Sequence, residues 1–78
     1  SAPHPEVALI QELLEVTDND QELNSKLHAH KDEVTPEFME ILSGLLVRTE
    51  SGEDEELKSR MNKVFSAAVR LTMAENLG

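Results

Sequence analysis

His28 and His30 stand two residues apart and are followed by Lys31, Asp32 and Glu33 in the stretch HAHKDEVTPEF. Imidazoles beside carboxylates are the raw material of a metal site or an acid–base pair. On a helix, however, residues two apart point about 200° away from each other. Both rings could reach one ion only from an extended backbone, with Asp32 or Glu33 as further ligands, and no HxxxH pair supplies a second donor set. Histidine and lysine are favoured at a helix C-terminus, where the dipole is negative. The stretch therefore reads as the end of one helix and the start of the next. No metal and no cofactor are expected there, and a pH-sensitive histidine contact is the chemical use left open.

Other chemistry-bearing patterns meet similar objections. DNDQE, Asp18 to Glu22, begins like a calcium loop, but its sixth position is Leu23 rather than glycine and its twelfth is Ala29 rather than glutamate. Both substitutions fall where the loop geometry is most demanding, and helix capping explains the stretch better. EDEE, Glu53 to Glu56, could dock a basic partner, yet acids in a first helical turn are already stabilised by about 0.3–1 kcal/mol each. LSGLL, Leu42 to Leu46, fits the LxxLL pattern of groove-docking helices, and IQELL, Ile10 to Leu14, comes close; core packing alone produces that spacing. Ser25, Ser43, Ser51, Ser59 and Ser66 have no base placed to activate them, and there is no glycine-rich phosphate loop. With two Phe and no Trp or Tyr, the aromatic platforms that stack single-stranded nucleic acid are missing. The expectation is a protein that is not an enzyme.

The elements that would position these residues are helices. Apolar residues recur at spacings of three and four, and no segment alternates strictly, which predicts an all-α chain. Helices are expected over residues 5–16, 20–30, 36–48 and 53–75, forming a small up-down bundle of three to four helices within a single domain, 1–78. Pro5 suits a first helical position. Asp18 or Asn19 can cap the second helix, with Gln21 three beyond Asp18. Thr35 caps the third helix ahead of Pro36 and Glu37, and Val34 and Met39 are spaced as a hydrophobic staple. Ser51 is the expected cap of the last helix, with Asp54 three residues on. In that helix Leu57, Met61, Val64, Phe65, Ala68, Leu71 and Thr72 trace one stripe, and Arg60, Lys63 and Arg70 fall opposite. Gly44 inside the third helix costs about 1 kcal/mol relative to alanine, for which close approach of another helix is the expected compensation.

Bulk properties narrow the function further. Seventy-eight residues bury only roughly 60–65% of the unfolded surface, too thin a core to give up a large active-site cavity. The absence of cysteine excludes disulfides and thiolate zinc sites. No apolar run is long enough to span a membrane. Residues Ser1 to Glu6 lack the basic region of a signal peptide, and a chain without cysteine suits a reducing compartment; a soluble intracellular setting is expected, with the organelle and a removed targeting peptide left open. The net charge of −9 disfavours nucleic acid and anionic lipid. That charge is uneven: residues 1–56 hold fifteen acids against three bases, and residues 57–78 hold four bases against one acid. Such asymmetry predicts that the last helix packs against an acidic remainder.

The order of a short helix, LxxxLxxHxDxVTPEFxxxL, an acidic glycine turn and a long helix resembles small helical modules found beside repeat and signalling domains in cyanobacterial, actinobacterial and plant proteins. The resemblance rests on Leu23, Leu27, His30, Asp32, Val34, Thr35, Pro36, Glu37, Phe38 and Leu42. Modules of this kind carry no catalytic residues, so it implies interaction or scaffolding. What the helical pattern leaves over is apolar side chains on the third and fourth helices. Met39, Leu46, Val47, Val69, Met73 and Leu77 are the expected partner-binding residues of a protein-interaction or adaptor domain, methionine suiting an adaptable contact surface. The alternatives are a structural homodimer through the same face, and a bundle that binds a small ligand or metal.

Overall fold

A computed structural model describes residues 4–77, at Leu77 by its backbone alone. Four α-helices follow in order: α1 Pro5–Leu14, α2 Asp20–Ala29, α3 Pro36–Glu50 and α4 Glu55–Leu77, with a short 3-10 turn Lys31–Glu33 between α2 and α3. No strand occurs among the described residues. The chain is an all-α bundle, as the spacing of its apolar residues requires.

Each boundary has a local cause. Pro5 opens α1, where its missing N–H has no partner to lose. The helix stops at Leu14, two residues short of the expected Val16, because Thr17 turns back and donates its hydroxyl to the Leu14 carbonyl at 2.9 Å. Asn19, not Asp18, caps α2, accepting from the Glu22 N–H at 3.1 Å. Thr35 caps α3 by accepting from the Phe38 N–H at 3.1 Å, as its position before Pro36 predicts. The expected cap of α4 is corrected. Asp54 accepts from the Leu57 N–H at 3.0 Å, whereas Ser51 ends α3 and donates to the Arg48 carbonyl. Asp54 is the residue three positions before an available N–H, the distance an N-cap side chain spans.

Contacts between the helix ends give the topology. Arg60 of α4 reaches Leu14 and Thr17 at the end of α1, and Asn62 of α4 donates to Glu50 at the end of α3. At the other end, Pro36 faces Leu71 and Glu75 across a cleft. Thus α1 and α3 run against α4 while α2 runs with it, an up-down-up-down order. α4 packs against all three other helices, and α3 with α4 makes the most extensive pair. At 23 residues it is about 34 Å long, close to the longest dimension of the molecule, 38 × 31 × 19 Å. The 19 Å thickness is about two helix diameters, so the bundle has two layers.

The core collects the apolar stripe of every helix: Leu9, Ile10 and Leu13 from α1, Leu23 and Leu27 from α2, Phe38 and Leu42 from α3, and Met61, Val64, Ala67 and Ala68 from α4. Leu57 departs from the expected stripe and is 37% exposed, since it lies in the first turn of α4 at the rim of the bundle. Gly44 departs more clearly. A Cβ built there meets nothing within 4 Å, so no helix approaches it and the expected compensation is absent.

Candidate functional site

The histidines that invite a metal or proton-transfer role are used by the backbone turn. His28 is exposed in the last turn of α2. His30 closes that helix, donating its backbone N–H to the Lys26 and Leu27 carbonyls. Its Nδ1 lies 2.6 Å from Glu33 Oε2, an arrangement in which the ring N–H donates to the carboxylate. Asp32 and Glu33 sit in the 3-10 turn that leads directly to the Thr35 cap. No group of three His, Cys, Asp or Glu side chains that could hold a metal ion occurs among the described residues. Glu55 and Glu56 pair with Lys58 at 3.1 Å and Arg60 at 2.9 Å. LSGLL turns inward: Leu42 is fully buried, and Leu45 and Leu46 pack against the core.

A polar arrangement that the sequence pattern did not reveal joins α4 to the corner between α1 and α2. Thr17 is fully buried. The Arg60 guanidinium donates to its Oγ1 at 2.8 Å and to the Leu14 carbonyl at 3.2 Å. It also donates to Glu56 Oε1 and lies 3.5 Å from Asp18. Hydrogen bonding to Glu56, then the charge of Asp18, raise the Arg60 pKa above its ordinary value. Lys63 reaches the Thr17 carbonyl at 3.5 Å. The last carbonyls of a helix lack intrahelical partners, and basic side chains from another helix supply them here. Arg60 therefore does not sit idle opposite the apolar stripe. Its partner Thr17 is 43 residues away, and no local spacing signals that pair.

The expected partner-binding residues divide by exposure. Val47 on α3 is 69% exposed and Met73 on α4 is 58% exposed. Val69 is half-buried between solvent and bundle. Met39 and Leu46 are also half-buried, but they pack against the core, so they form the base of the surface more than its contact points. Leu77 ends α4, and its side chain lies outside the described residues. The Asn62–Glu50 bond sets the α3/α4 register. With a rise of 1.5 Å per residue it puts Val47 and Met73 about 12 Å apart along the pair, with Val69 between them. Val47 and Met73 are thus exposed apolar side chains on the two helices that pair most extensively.

No helix among the described residues is long and apolar enough to cross a membrane. Compared with protein-family models, curated proteins and solved structures, the chain matches none.

Proposed function

We propose that this chain is a non-catalytic protein-interaction module, an adaptor or scaffold element, whose docking surface is the outer seam of α3 and α4. The observation that supports this reading is the exposure of Val47 and Met73 on the two helices that make the most extensive pair. Helices paired so extensively present a rigid surface, and rigidity lowers the ordering cost of docking. Val47 and Met73 are the contact points, Val69 joins them, and Met39 and Leu46 support them from the core side. Polar side chains border the seam where Glu50 accepts from Asn62, in keeping with a polar rim around an apolar centre. The partner is another protein with a complementary apolar surface.

Self-association through the same seam is the second reading. It is separated from the first by amide NMR spectra of labelled protein over a hundredfold concentration range. A free seam gives spectra that do not change on dilution. Concentration-dependent shifts at Val47, Val69 and Met73, abolished by Val69→Glu, would replace the adaptor reading with a homodimer.

A further inference from the structure

The first turns of α1 and α3 enclose a second surface feature, a cleft of about 390 Å³. Pro5, Leu9, Pro36 and Phe38 form its apolar walls, and among the described residues Glu6, Glu33 and Glu37 supply the charges that line it. Pro5 and Pro36 are exposed, while Leu9 and Phe38 close the floor. Taken alone, the carboxylates have local explanations. Glu6 and Glu37 occupy first turns favoured by the helix dipole, and Glu33 accepts from His30. What those explanations leave unaccounted for is the open apolar wall beside them.

An apolar trough with carboxylates at its mouth matches one common side chain. Arginine lays an aliphatic stem on apolar surface and keeps a cationic head free for carboxylates. The two helix N-termini contribute about half a positive charge each, which offsets part of the field of three carboxylates and leaves it negative. The volume is at the small end of ligand sites, which run about 300–1,000 Å³, and suits one long side chain with its neighbours better than a folded surface. The net charge of −9 favours encounter with a basic segment over an acidic one.

We propose that this cleft docks an arginine-bearing segment of a partner protein, the arginine stem along Pro5 and Pro36 and its guanidinium facing Glu6 and Glu37. The site is separate from the α3/α4 seam and stands whether or not the seam binds anything.

The test is an NMR titration of labelled protein with the peptide acetyl-Ala-Leu-Arg-Leu-Ala-amide and with the same peptide carrying Gln in place of Arg. The arginine peptide is expected to give saturable shifts at Glu6, Leu9, Glu37 and Phe38, and the Gln peptide to bind about tenfold more weakly, the loss for one charge-assisted hydrogen bond. Glu6→Gln with Glu37→Gln should produce the same loss. Glu22→Gln with Glu53→Gln, which removes equal charge elsewhere, should leave the affinity unchanged. Retained amide dispersion certifies that each variant is folded, and Glu6→Gln alone replaces the first pair if that pair is not. The proposal is overturned by shifts scattered over the acidic surface, by equal loss in both double variants, by equal binding of the two peptides, or by no shifts at all.

Discussion

Thr17 has no solvent exposure, and its hydroxyl is satisfied in both directions: it donates to the Leu14 carbonyl and accepts from Arg60. Thr17→Val keeps the shape and removes both bonds, leaving an Arg60 donor without its buried partner. A loss of about 1–3 kcal/mol is expected, measured by urea unfolding of the two proteins side by side. Arg60→Met should also destabilise, and more than Lys63→Met, since Arg60 makes shorter contacts to more partners. Gly44 predicts the opposite sign. The sequence suggests that a glycine inside a helix admits a close neighbour, but the space around Gly44 is open and its φ is not positive. Gly44→Ala should therefore stabilise the protein by about 1 kcal/mol. A destabilised alanine variant in the same urea experiment would mean that a neighbour does approach position 44.

At the scale of elements, the legible features are those with short-range causes. Thr35 before Pro36, the period of Phe38, Leu42 and Leu45, and the proline at the start of α1 are each complete within a few residues, and each element forms as that chemistry requires. Thr35→Ala should cost about 1 kcal/mol, with amide exchange quickening first in the opening turn of α3. Equal exchange in that turn would show that Pro36 alone starts the helix. The illegible features depend on distant residues. The early end of α1 follows from the burial of Thr17 under Arg60, and the choice of Asp54 over Ser51 as cap depends on where α3 stops. Leu57 carries the right spacing for the core, but spacing does not reveal where the other helices cease to cover α4. The exposure of the surplus apolar side chains was legible in the same partial way. Val47 and Met73 were expected outside and are outside, whereas Met39 and Leu46 are half-buried and rest on the core.

For the molecule as a whole, one thin core holds two layers together. The Cα radius of gyration is 12.1 Å, slightly above the roughly 11.5 Å of a spherical chain this long, as the flattened outline requires. Phe38 is the largest fully buried side chain. Phe38→Ala should cost about 3–5 kcal/mol, a large part of the roughly 4–12 kcal/mol available to 78 residues; an unchanged melting temperature would show that the core closes around the gap. The central claim is that the α3/α4 seam docks another protein. Its most direct measurement compares proteins captured from the source cell by the wild-type chain and by Val47→Asp with Met73→Asp, both verified as folded by circular dichroism. The account expects a defined binder, retained by the wild type and by Glu22→Gln, to disappear with the double variant. The same binder held equally by all three proteins would contradict it.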